Sequence, residues 1–432
     1  MTLQTLIFLL LSLLVAWGPL VGGPRDAEPG TTLGVRDLLA SVEGHNVTLY
    51  SSPAEREALA TLQQGDALTV LDREEGWLRV RTADGHEGYV PEYLVRTYGH
   101  EARPAPLMVL GYYMQDNRRP SWPVLQANTD VLTAIAPWAW GLDARGNLRP
   151  VYTSEAHLAD VLAFAGRRDV ETHALIHNFN PELGAFDARI AQAVLTDPDV
   201  RRLAIANIVD TAERWGITGV HIDFENVPRS LGDALTGFIA DLAAAAHPLG
   251  LKVSVAVPAI THQTAGASWN GAYSYAKLAV HADFLMIMAY DQHWRGSAPG
   301  PVASVAWVRQ VIEYALDPHG GGVPADKLVL GIPAYGYDWP AETPWADAVA
   351  YADAIRRLSA AQSRTPAVRL EWDPVALAPT FRYDDREVWF ENHQSIGHKL
   401  LLALEYDLAG VALWRLGQED PYTWDLMRRA LL

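Results

Sequence analysis

The sequence predicts an α/β protein: a (β/α)8 barrel with a small α+β insertion between its seventh and eighth strands, preceded by a small all-β barrel. Three observations predict it. From residue 107 onward, apolar runs of strand length alternate with helical stretches, giving eight β/α steps. Before that, residues 45–96 carry short alternating strands separated by turn residues. The polar residues of the later strands gather at their C-terminal ends, where barrels of this type keep their functional groups.

Taken in order, residues 1–23 contain an uncharged apolar run from Leu6 to Val21 that ends on Gly22 and Gly23. It reads as a secretory signal peptide, with an uncleaved N-terminal membrane anchor as the alternative, because the run is short for a span. Either reading places the remainder outside the cytoplasm, secreted or in the cell envelope. Residues 24–44 read as a linker, rich at first in glycine, proline and charge. Residues 45–96 follow, with strands expected at 47–50, 67–71, 77–81 and 87–90 and turns at Glu75-Gly76 and Ala83-Asp84-Gly85. Residues 97–106 form a second, proline-containing linker.

The large domain then runs over residues 107–432. Its strands are expected at 107–113, 131–138, 172–179, 219–224, 252–258, 284–290, 328–334 and 410–416, with helices such as 200–215, 231–246 and 303–315 between them. Residues 336–405 are the insertion, with a helix at 346–361 and a hairpin pairing 380–383 with 388–390 around Asp384-Asp385.

Composition is that of a globular chain, 49% hydrophobic and 20% charged. A net charge of -17 argues against nucleic acid and anionic membrane surfaces as partners. Cysteine is absent, which excludes disulfides and thiolate metal sites. The 15 tryptophans and 17 tyrosines supply core, and also flat faces of the kind on which sugar rings stack.

The densest chemistry lies in Gly219-Val220-His221-Ile222-Asp223-Phe224-Glu225-Asn226. On a strand, His221, Asp223 and Glu225 share one face while Val220, Ile222 and Phe224 take the other. Two carboxylates on a buried face cost several kcal/mol unless paired, so a structural core gains nothing from them. Strand six ends in Met288-Ala289-Tyr290-Asp291, strand seven in Pro333-Ala334-Tyr335 and strand eight in Trp414. By alternation Met286, Met288 and Tyr290 point inward together. The site would hold a carboxylic acid, a neighbouring aspartate, a tyrosine hydroxyl and an aromatic floor, the parts needed for glycoside cleavage.

These residues resemble the motifs of family 18 glycoside hydrolases, the chitinase and N-acetylglucosaminidase group, and in particular its spore-cortex and peptidoglycan-processing branch. Thr218 to Glu225 matches the family's D-G-x-D-x-D-x-E strand and Met288 to Asp291 its M-x-Y-D strand, while Leu330-Gly331-Ile332-Pro333 and Trp414 also match. The resemblance implies a TIM-barrel hydrolase, needing no cofactor or metal and expected as a monomer, that cuts β-1,4 bonds beside N-acetylglucosamine in peptidoglycan or chitin. It implies that Glu225 is the general acid and that the substrate's acetamido carbonyl is the nucleophile, oriented by Asp223 and hydrogen-bonded by Tyr290. Trp414 would floor the pocket, and Asp291, Gln292, Tyr112, Met288, Tyr335 and His221 would complete the substrate contacts. Gly76-Trp77 and Gly88-Tyr89-Val90-Pro91 resemble the bacterial Src-homology-3-like (SH3-like) modules of cell-wall enzymes. That resemblance implies wall contact, with a plain spacer as the equal alternative.

The chain departs from the family pattern at two places: Thr218 and His221 stand where the family has aspartates. His221 is then either the partner that fixes Asp223, at a Cβ spacing of about 7 Å along one strand face, or only a filler of the barrel interior. His221, Asp223 and Glu225 also have the look of metal ligands, but no second ligand cluster accompanies them. A non-catalytic glycan-binding protein on the same barrel is the competing reading; retention of Glu225 favours the enzyme.

Overall fold

A computed structural model describes residues 35–101, 107–343 and 345–432. The apolar run of residues 1–23 and the first part of the linker lie outside the described residues. Among the described residues, no helix is long and apolar enough to cross a membrane.

Eight parallel strands close the barrel: Met108–Tyr113, Ala134–Leu142, Glu171–His177, Gly219–Asp223, Lys252–Pro258, Phe284–Met288, Leu328–Pro333 and Gly410–Trp414. The eighth pairs with the seventh and with the first, with Gly410 opposite Met108 and Leu413 opposite Gly111. All eight expected strands are present. Several end earlier at the C-terminal rim than the apolar pattern suggests, because the last residues turn outward to form the site.

The strands separate two cores. Val220, Ile222, Val253, Val255, Leu285 and Ile287 face the helices, all at most 1% exposed. Leu110, Tyr112, Ala136, Leu175, Met286 and Val329 fill the barrel interior. Local signals set the helix ends. Pro198–Trp215 starts on Asp197, whose side chain accepts from the amides of Asp199 and Val200, and stops at Gly216 with φ 62°. That left-handed stop is a glycine's role, and it delivers the chain directly into the fourth strand.

The insertion carries a five-stranded sheet formed by Tyr335–Pro340, Asp347–Ala350, Glu371–Asp373, Ala378–Tyr383 and Arg386–Trp389, with the helix Tyr351–Arg364. The hairpin turns at Asp384-Asp385 as expected. Two bounds differ. The segment read as the start of a helix at 346 first forms strand Asp347–Ala350. The helix His393–Glu405, included in the expected insertion, is the barrel helix that leads into the eighth strand.

The small β-domain is larger than residues 45–96. Its seven-stranded sheet includes Val35–Val42 and Val95–Glu101, from the two segments read as linkers, and Ala58–Leu62. Val35–Val42 lacks clean alternation because it serves two cores, with a bulge between Asp37 and Leu39. Leu38 and Leu39 join the core of the large barrel, whereas Ala40 and Val42 join that of the small one.

The two barrels meet over helices His393–Glu405 and Tyr422–Leu431. Gln394 Nε2 donates to the carbonyl oxygens of Ala67 (2.9 Å) and Arg81 (3.4 Å), and Arg429 Nη1 donates to that of Leu71 (2.6 Å). The Arg81 guanidinium lies 4.0 Å from the centre of the Tyr422 ring. Helix His393–Glu405 is therefore buried on nearly every face, including Lys399, whose ammonium pairs with Glu391 at 2.7 Å.

Candidate active site

The C-terminal rim of the barrel opens into a groove of about 1070 Å³. Its lining includes Glu225, Asp223, Tyr290, Trp414, Asp291, Gln292, Tyr112, Met288 and Tyr335, nine of the residues singled out from sequence. His221 is not among them. It lies fully buried in the barrel interior beneath the groove.

The fourth strand builds the centre. Val220 and Ile222 anchor its outer face, which sends His221 and Asp223 inward. The strand ends at Asp223, and Glu225 emerges half-buried into the groove. Its main chain is clamped from the residue just past the third strand: Asn178 Oδ1 accepts from the Glu225 amide at 2.9 Å, and Asn178 Nδ2 donates to the Glu225 carbonyl at 2.8 Å. The Tyr273 hydroxyl donates to the Phe224 carbonyl at 2.6 Å, fixing the preceding peptide.

The pairing of His221 with Asp223 is not formed. The Ser254 hydroxyl donates to the Val220 carbonyl at 3.2 Å, so its oxygen accepts from His221 Nδ1 at 2.8 Å. With that proton on Nδ1, Nε2 accepts from the Tyr112 hydroxyl at 2.7 Å. Burial pushes the imidazole down to about 3, so the ring is neutral and both nitrogens are occupied by neighbours other than Asp223. Strand spacing keeps His221 and Asp223 on one face, but the hydroxyls of Tyr112 and Ser254 lie closer to the ring nitrogens. His221 holds the Tyr112 ring in place, and that ring packs against Trp414 at a centroid distance of 5.1 Å.

Electrostatics favour protonated carboxyls. Burial pushes Asp223 upward, offset only in part by the nearby Trp138 indole, which makes no direct hydrogen bond. Burial pushes Glu225 well above its ordinary range too, and the charges of Asp223 and Asp291 push it further. Two close carboxyls in a poorly solvated groove cannot both ionise readily, so the pair retains a proton. Burial also keeps Tyr290 a phenol, hence a hydrogen-bond donor. Asp291, at φ 58°, accepts from Tyr335 (2.6 Å) and Tyr337 (3.0 Å), which holds it beside Tyr290. Gln292 uses its carboxamide oxygen to accept from the Ser304 amide at 2.9 Å, pinning the loop that follows the sixth strand.

Trp138, Tyr152, Phe179, Trp269, Trp294, Tyr337 and Arg119 also line the groove and were not singled out from sequence. Trp138 stands on the second strand, stacked on His177 at 4.0 Å, where the strand-end rule applied to Trp138 and Trp140 was enough to find it. The others lie on loops and the insertion, where no periodicity marks them. Among the described residues, no group of three His, Cys, Asp or Glu is placed to hold a metal ion. The arrangement is two neighbouring carboxyls, both biased toward the protonated form, in an aromatic groove.

A family model described as Glycosyl hydrolases family 18 matches residues 188–419, more than half of the chain. The chain belongs to glycoside hydrolase family 18. A second model, described as Bacterial SH3 domain, matches residues 45–96. The family 18 chain is 33% identical over 253 residues to the cortical fragment-lytic enzyme of Bacillus subtilis, covering 57% of this chain and 58% of that one. It thus spans little more than half the length of that relative. A chitinase structure from Chromobacterium violaceum is 29% identical, covering 75% of this chain and 99% of that chain at a TM-score of 0.68. The spore cortex-lytic enzyme of Bacillus cereus superposes at a TM-score of 0.70 over 87% of this chain and 91% of that chain; at 23% identity this likeness bears on the fold. The protein is thus a family 18 glycoside hydrolase with an SH3-type module.

Proposed function

We propose that this family 18 enzyme cleaves β-1,4 bonds beside N-acetylglucosamine in peptidoglycan or chitin, with retention and with the substrate's own acetamido group as nucleophile. The observation that carries this reading is the placement of Asp223 and Glu225 together at the rim of one strand, both biased toward the protonated form, in an aromatic groove. A carboxyl kept protonated near neutral pH is suited to protonate a leaving glycosidic oxygen, and Glu225 takes that role. Asp223, beside it and deeper, orients the acetamido nitrogen and balances the positive charge of the oxazolinium formed when the carbonyl oxygen attacks the anomeric carbon. Tyr290, held as a phenol, donates to that carbonyl oxygen. Trp414, with Tyr112 packed against it, offers the ring surface for the sugar at the cleavage point.

The names of the relatives, a cortical fragment-lytic enzyme and a chitinase, support the two candidate polymers. The apolar run from Leu6 to Val21 supports action outside the cytoplasm, in the cell envelope or beyond it. The mass of the protein recovered from each cell fraction tests that placement.

The test of the chemistry is incubation with purified peptidoglycan, N-acetylated chito-oligomers and the matching cello-oligomers, with product masses read out. Cleavage confined to acetamido sugars, inhibited by a thiazoline analogue of the oxazoline, is expected. Equal cleavage of cello-oligomers would point to a protein nucleophile and sink the mechanism.

A further inference from the structure

Of the described residues that line the groove, Arg119 is the only one with a permanent positive charge, against the carboxyls of Asp223, Glu225 and Asp291. Its position is built. It lies in the segment after the first barrel strand, where its amide donates to Asp116 Oδ1 and its carbonyl accepts from Arg415 Nη1, both at 3.4 Å. Gly417, at φ 89°, packs so closely on this segment that a Cβ there would come within 2.7 Å of the Arg119 carbonyl oxygen. From the insertion, Asp353 Oδ2 and the Ala348 carbonyl accept from Arg119 Nη2 at 2.7 and 3.2 Å.

Those contacts orient the guanidinium without neutralising it. Asp353 is shared with Arg356, so the three side chains together keep one net positive charge. Among the described residues, Nε and Nη1 of Arg119 hold no hydrogen bond, and the side chain is 26% exposed. A guanidinium fixed at one nitrogen, with two others unbonded among the described residues, suits a carboxylate. An acidic groove in a chain of net charge -17 otherwise repels anionic glycans.

We propose that Arg119 determines specificity by binding a carboxylate carried by the glycan, of the kind on the lactyl ether of N-acetylmuramic acid. This rests on the reading of the enzyme as a hydrolase of N-acetylated glycans, and it selects muramic-acid glycan whose lactyl carboxyl is free of stem peptide over chitin. A hydrogen bond to a charged group contributes about 1.5–3 kcal/mol, equivalent to roughly 10- to 150-fold in rate at limiting substrate.

The experiment uses the full chain and two peptidoglycan oligomers that differ only in the lactyl group, one a free acid and the other its methylamide. The ratio of their kcat/KM values is the readout. The parent is expected to prefer the acid by about 10-fold or more. In Arg119→Gln the ratio should fall to about one or below, and Arg119→Lys should lie between, keeping the charge without the planar fork. A parent with no preference for the acid overturns the proposal. So does an Arg119→Gln ratio equal to the parent's, including the case where both substrates slow equally because Arg119 only ties the insertion to the barrel. Failure of the parent on these oligomers and on chito-oligomers alike instead overturns the hydrolase reading on which the proposal rests.

Discussion

Asn178 holds the main chain of Glu225 in both directions, accepting from its amide at 2.9 Å and donating to its carbonyl at 2.8 Å. One carboxamide thus fixes the peptide on which the proposed acid stands, and it also donates to the Asp187 carbonyl at 3.1 Å. Asn178→Ala leaves these groups without their partner at a buried site, at a cost of about 1–3 kcal/mol for each group left unsatisfied. Turnover of N-acetylated chito-oligomers should fall about 100-fold, chiefly in kcat, because a misplaced catalytic group loses alignment before binding is lost. An effect confined to KM would show that the clamp serves the groove wall and not the acid.

Glu225→Gln should remove nearly all turnover, about 10²–10⁴-fold, while binding of an uncleaved oligomer persists. The same change should stabilise the fold. The folded-state pKa of Glu225 is raised above its ordinary 4.5, so the parent loses stability as pH rises from 4.5 toward the folded value. The stability gap between variant and parent should widen over that range by at most about 1.4 kcal/mol per pH unit, then level off. Denaturant melts at several pH values measure it, and a gap that narrows with rising pH contradicts the assignment.

His221 should leave no trace in the pH–rate curve near 6.5, because burial holds its imidazole at about 3 and its nitrogens are committed to Tyr112 and Ser254. His221→Asn should shift the profile little. It should cost stability of roughly 1–3 kcal/mol through the Tyr112 or Ser254 hydroxyl left unpaired. A limb near 6.5 in the parent that vanishes in His221→Asn would restore His221 as a titrating partner of the site.

The SH3-type module should behave as part of the catalytic body. The intact chain is expected to melt in a single calorimetric transition, and removal of residues 35–101 should lower the melting temperature and reduce hydrolysis of short soluble oligomers. Gly397→Val tests the seam more gently. A Cβ there would stand 2.8 Å from Leu426 Cδ1 and 3.1 Å from Leu39 Cδ1, an overpacking that costs about 1–3 kcal/mol. Two separate transitions, with the barrel's unchanged by Gly397→Val, would restore the module as a tethered spacer.

The eight-strand order, the insertion between the last two strands, and seven of the nine groove residues were legible in the chain because they follow from local pattern, whereas Tyr112 and Gln292 came with the family resemblance. Strand alternation puts Asp223 on the face opposite Val220 and Ile222, and polar strand ends in such a barrel converge on one rim. What periodicity cannot show is which neighbour a buried polar group chooses. His221 sits on the same strand face as Asp223, yet it bonds to Tyr112 and Ser254, from the first and fifth strands, because barrel closure brings those hydroxyls to its nitrogens. Asn178, Arg119 and Tyr337 are likewise placed by loops and by the insertion, whose approach to the groove no spacing in the chain encodes. Val35–Val42 was unreadable as a strand because its side chains answer to two hydrophobic cores at once. The sequence alone therefore determined the barrel and the strand that carries the proposed acid. Only the tertiary structure decided the partners of each buried polar group and the docking of the module, since both depend on surfaces distant in sequence that meet after the chain has folded.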